Sequence, residues 1–68
     1  MNELSARRYF LRTGMVFVVD KITVNNTTTI RIKKYEDIEP ALRYVKHSEN
    51  AEFVNLTHAK KMGWVHEN

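Results

Sequence analysis

Three histidines, His47, His58 and His66, are the side chains of this 68-residue chain best suited to metal or proton chemistry, because neutral imidazole ligates zinc, nickel or copper. Their spacing gives them no such task. No pair stands four residues apart, as two ligands on one helical face must, and without cysteine the closed structural zinc patterns cannot form. They are expected to be solvent-exposed structural residues. Ser5 and Ser48 lack the Gly-x-Ser-x-Gly context that activates a serine nucleophile. Glu36, Asp37 and Glu39 supply carboxylates, but a helix beginning there explains them through the favourable interaction of acids with the helix dipole. Gly14 and Gly63 are the only glycines, so there is no phosphate-cradling loop. The expectation is a protein with no catalytic residues, no metal and no cofactor.

The constellation that rises above this background is cationic. Residues 1–34 hold seven Lys/Arg against two acids, and residues 35–68 hold four against six. An uneven field of that kind favours an anionic partner. Lys21, Arg31 and Lys33 are expected on one outward sheet face with Phe17, Tyr35 being a further candidate for that side, and Arg7, Arg8 and Arg12 extend the patch. Cations neutralise phosphates and interleaved rings stack on bases, which is the pattern of a nucleic-acid contact. An alternative uses the apolar side chains of the same strand. Met15, Phe17 and Val19 are too apolar to leave in water together, so they need a cover: the N-terminal segment through Leu4, Tyr9 or Leu11, the same patch of a second subunit about a two-fold axis, or a foreign protein.

The elements that must position these groups fit one small domain, residues 1–68. The chain is 43% hydrophobic and 28% charged, ordinary for a folded globular protein, and too short for a second domain. No disulfide can reinforce it, which makes a homodimer the expected aid to stability. The N-terminus lacks a signal peptide's apolar stretch, and the longest apolar run, Met15 to Val19, is far short of the ~20 residues that span a bilayer. A cytoplasmic location with no membrane partner is expected.

Met15 to Val24 is rich in β-branched and aromatic residues and reads as a strand. Thr28 to Lys34 alternates, with Ile30 and Ile32 on one face and Thr29, Arg31 and Lys33 on the other. A five-residue loop, Asn25 to Thr29, would pair Val24 with Ile30, Ile22 with Ile32 and Asp20 with Lys34. Glu36 to Ser48 carries Ile38, Ala41, Leu42 and Val45 at helical spacing, with acids at its start and Arg43, Lys46 and His47 at its end. Glu52 to Leu56 reads as a short strand. Thr57 caps a brief helix through Met62, with Gly63 as the stop and Trp64 able to fold back onto the core. Residues 3–12 suit either a helix or a strand. The fold expected is α+β: a small antiparallel β-meander packed against one helix, with a short C-terminal strand and helical turn.

The order of strands and helix in Val16 to Val45 resembles the three-stranded-sheet-plus-helix DNA-binding modules of plant AP2 proteins and of the N-terminal arms of some phage integrases. That resemblance implies a sheet laid against DNA with Lys21, Arg31 and Lys33 facing it. Leu56 to Gly63 resembles the opening helix of helix-turn-helix proteins, with Thr57 as cap and Ala59 as the small residue, although too few residues follow for a recognition helix. Together these readings lead to a non-enzymatic nucleic-acid-binding or regulatory accessory protein. A protein-interaction module or inhibitor acting through Met15, Phe17 and Val19 stands second.

Overall fold

The computed structural model describes residues 1–65. Six elements follow in order: α1 (Glu3–Thr13), β1 (Val16–Val24), β2 (Thr27–Tyr35), α2 (Ile38–His47), β3 (Ala51–Val54) and α3 (Leu56–Lys61). The strands form an antiparallel sheet ordered β2-β1-β3, so the architecture is α+β as the sequence implies. β3 does not extend the hairpin on its β2 side. It returns to the other edge of β1 and makes β1 central.

Residues 3–12, open to either reading in the sequence, are helical because both ends are capped. The Asn2 side chain accepts the Ser5 backbone N–H at 2.8 Å, and Gly14, at φ 76°, donates its N–H to the Phe10 carbonyl, two devices that satisfy otherwise orphaned backbone groups. Ala6, fully buried, lets α1 approach the sheet closely. α2 begins two residues later than the sequence suggests, at Ile38, and Asp37 makes no side-chain cap bond. Pro40 then falls in the first turn, where the missing N–H breaks no helical hydrogen bond.

One sheet face meets α1 and α2 over Ala6, Val16, Val18, Ala41, Leu42 and Phe53. The other carries Phe17, Val19 and Val54 under Ala59, with Leu56, Trp64 and Val65 packed around them. Phe17 and Val19, for which the sequence suggests the N-terminal segment, a second subunit or a foreign protein as cover, are only 6% and 0% exposed, and the cover is instead the chain's own C-terminal segment. That segment starts two positions earlier than expected: β3 ends at Val54 rather than Leu56, and Asn55 rather than Thr57 caps α3 by accepting the His58 N–H at 2.7 Å. It ends on Gly63, at φ 76°. Trp64 N–H bonds the Ala59 carbonyl and Gly63 N–H the Lys60 carbonyl, a Schellman closure that turns the chain back and sets Trp64 against this second core.

The hairpin turn also differs from expectation. It has two residues, Asn25 and Asn26, at φ 51° and 65°, the pair of positive values that a type I′ turn requires and that Asn tolerates. Val24 therefore pairs with Thr27, Ile22 with Thr29, Lys21 with Ile30, Asp20 with Arg31 and Phe17 with Lys34. The five-residue loop would have segregated the apolar side chains onto one face. No core covers this end of the hairpin, so nothing rewards segregation there, and the turn's own geometry sets the register. Farther in, Val19 meets Ile32, which joins the second core.

Burial outweighs the surface charges in holding this fold. Each fully buried Val side chain contributes about 1.5–3 kcal/mol, and Val16, Val18 and Val19 all qualify. The four ion pairs among the described residues join side chains 44–80% exposed, a setting worth about 0–1 kcal/mol each. Gly63→Ala tests the closure over the second core. No atom of the described residues obstructs an added Cβ, so the change acts through the left-handed backbone and should cost about 1–2 kcal/mol in urea unfolding, with a red shift of emission from Trp64, the chain's single tryptophan. Unchanged stability and emission would show that the closure does not hold Trp64 in place.

Candidate nucleic-acid interface

β3 pairs with β1 only from Phe17 to Asp20, and one further bond joins Lys21 N–H to the Asn50 carbonyl. Beyond this point β1 and β2 continue as a two-stranded ribbon, and no residue from 20 to 31 belongs to either core. At the usual rise per residue, residues 21–24 carry the ribbon about 13 Å outward before the turn. Its tip presents Asn25, Asn26, Thr27 and Thr28, all exposed, and the Thr23 and Thr28 hydroxyls bond across the strands at 3.1 Å.

Cross-strand partners share a face, so the register places each predicted cation. Arg31 is opposite Asp20 and Lys33 opposite Val18, on the side of the sheet that bears α2; Lys21 is opposite Ile30, on the other side with Phe17. The single basic face expected for Lys21, Arg31 and Lys33 is therefore split, because the two-residue turn offsets the strands from the register that was expected. The sheet surface implied by the resemblance to AP2-type modules is likewise covered, by α3 and Trp64.

Ion pairs divide the cations further. Arg7 lies 4.0 Å from Glu3 and 3.6 Å from Glu39, and Lys21 lies 3.7 Å from Glu52. Among the described residues, Arg8, Arg12, Arg31 and Lys33 have no carboxylate within ion-pair distance. Arg31 and Lys33 come together with Val18, Asp20, Ile32 and Tyr44 along an open groove of about 460 Å³ between the ribbon base and α2. The Lys33 ammonium sits 5.0 Å from the centre of the Tyr35 ring, and the Tyr35 and Tyr44 rings are 6.5 Å apart. Arg8 and Arg12 line a different groove beside β3.

Tyr44 is the member of this site that the sequence reading missed. It sits on α2 beside the buried stripe and is 39% exposed, and only the fold carries it to the ribbon base. Its hydroxyl donates to the Asp20 carboxylate. That bond raises the Tyr44 pKa above the ordinary value of 10.0, helped by lost hydration and the Asp20 charge and opposed by a bond to Ser48. The Asp20 carboxylate opposite Arg31 accepts the Tyr44 hydroxyl, and neither Arg31 nor Lys33 lies within ion-pair distance of a carboxylate among the described residues.

Among the described residues, no three His, Asp or Glu side chains gather to hold a metal ion. His58 instead packs edge-on to Trp64 at 5.5 Å, while His66 lies outside the described residues. No helix among them is long and apolar enough to cross a membrane. Comparison of the chain with protein-family models, curated proteins and solved structures gives no match.

The Tyr44–Asp20 bond has a defined pH signature. A raised folded-state pKa means the bond's contribution is complete below the ordinary tyrosine range and fades as pH rises through the raised value. Following Tyr44 by NMR of its labelled ring carbon, Asp20→Asn should bring the titration down toward 10.0, the ordinary value. An unmoved titration would show that Asp20 does not set it.

Proposed function

We propose that this protein is a non-enzymatic, cytoplasmic nucleic-acid-binding accessory protein whose contact element is the β1–β2 ribbon. The observation that carries this reading is the ribbon itself: two strands projecting past both cores, Asn and Thr at the tip, and at the base Arg31 and Lys33, which have no carboxylate within ion-pair distance among the described residues. The major groove of duplex DNA, about 12 Å wide, admits a two-stranded antiparallel ribbon. Exposed Asn and Thr side chains both donate and accept, as hydrogen bonding to base edges requires. Arg31 and Lys33 then meet backbone phosphates, Arg31 through a planar fork suited to bidentate contact.

Lys21 reaches the same ribbon from its other face, where Glu52 competes for it. Arg7 has a structural role tying α1 to α2 through Glu39. Protein capture through Met15, Phe17 and Val19 gains no support, because Phe17 and Val19 are buried beneath α3 and Trp64 and Met15 is packed beside them. That packing also removes the reason for a dimer built on this patch.

The test is duplex binding measured by fluorescence anisotropy across a salt series. Arg31→Glu with Lys33→Glu should weaken binding at least about tenfold and reduce the salt slope by about two, while near-ultraviolet circular dichroism stays native. Equal binding by this variant and the parent would overturn the ribbon assignment.

A further inference from the structure

Arg8 and Arg12 stand one helical turn apart on α1, where like charges repel. On the same helix Arg7 meets two carboxylates, whereas Arg8 and Arg12 meet none among the described residues. They line a groove of about 390 Å³ together with Met1, Ser5, Tyr9 and Asn55. No acidic side chain among the described residues borders it. The groove lies against the start of α3, on the β3 side of the sheet and away from the ribbon base.

The two uncharged groups with acceptor oxygens nearest α3 are already oriented. Tyr9 Oη accepts the Leu56 N–H at 3.2 Å, leaving its hydroxyl hydrogen to donate elsewhere. Asn55 Oδ1 accepts the His58 N–H at 2.7 Å, leaving the NH₂ end as the uncommitted half of that amide. The Arg12 guanidinium rests 5.6 Å from the Tyr9 ring centre, a cation–π contact that limits its rotation. The groove thus combines two guanidinium groups, a serine hydroxyl and two polar groups whose acceptor atoms are engaged.

We infer that this groove is a phosphate-binding site. A phosphate presents several acceptor oxygens and no carbon, matching a donor-rich wall, and two guanidinium groups offer charge-assisted bonds stronger than neutral ones. Binding of the anion also relieves the repulsion between Arg8 and Arg12. The phosphate comes either from a free phosphate monoester or from a nucleic-acid backbone, and the two sources share this chemistry. The site stands apart from the ribbon and does not depend on its function.

The experiment is NMR of uniformly ¹⁵N-labelled protein at mildly acidic pH, following arginine Nε–H and asparagine side-chain NH₂ signals. Sodium phosphate is titrated against sodium chloride at matched ionic strength. Saturable shifts at Arg8, Arg12 and Asn55, with Arg7 still, are expected, and Arg8→Gln with Arg12→Gln should weaken the Asn55 response at least about tenfold. A second arm uses oligothymidylate lacking terminal phosphate. The same signals moving there identify a backbone source, and a response to inorganic phosphate alone identifies a monoester. Equal, non-saturating movement of Arg7, Arg8 and Arg12, or an Asn55 response unaffected by the double substitution, would overturn the proposal.

Discussion

Val16, Phe17, Val18 and Val19 are consecutive in one strand, so alternation sends them to opposite faces of the sheet, and all four are buried. A strand of that kind needs a layer on both sides, and the rest of the chain supplies them. α1 and α2 cover Val16 and Val18; α3 and Trp64 cover Phe17 and Val19. β3 seals the remaining edge from Phe17 to Asp20. The small residues Ala6, Ala41 and Ala59, one on each helix and each fully buried, allow three helices to approach a sheet this short.

Where that double cover stops, the candidate function begins. β1 runs on past Asp20 as half of a ribbon, with Ile22 half-buried and Val24 61% exposed. A ribbon supported only at its base depends on the type I′ turn and on cross-strand contacts such as Thr23 with Thr28. Its base is held to α2 by Tyr44 and Asp20, so Arg31 and Lys33 sit where the projecting and packed parts of the hairpin meet. This joins two demands of groove recognition: a projecting element of the right width and phosphate anchors that fix its position.

Much of the fold was legible in local signals. The apolar stripe of α2, the β-branched run of β1 and Gly63 as a stop each require a particular backbone conformation whatever their neighbours do. Less legible was anything that depended on long-range pairing. The sequence allows β3 to lie beside either edge of the hairpin, and its choice of β1 decides which residues are covered. The Asn25-Asn26 turn overrode facial alternation because the ribbon has no core to enforce it, and this displaced Lys21 from Arg31 and Lys33. Tyr44 was invisible as a site residue because its partner, Asp20, is 24 residues away in sequence.

The central claim is that the ribbon, and not the packed body, meets nucleic acid. Backbone amide shift mapping of ¹⁵N-labelled protein on addition of a short DNA duplex tests it most directly. The account predicts that the largest changes fall within residues 21–33, centred on the Asn25-Asn26 turn and on Arg31 and Lys33, while amides of α3 and of the buried half of β1 stay unmoved. Changes confined to residues outside the ribbon, or none at low salt, would contradict it.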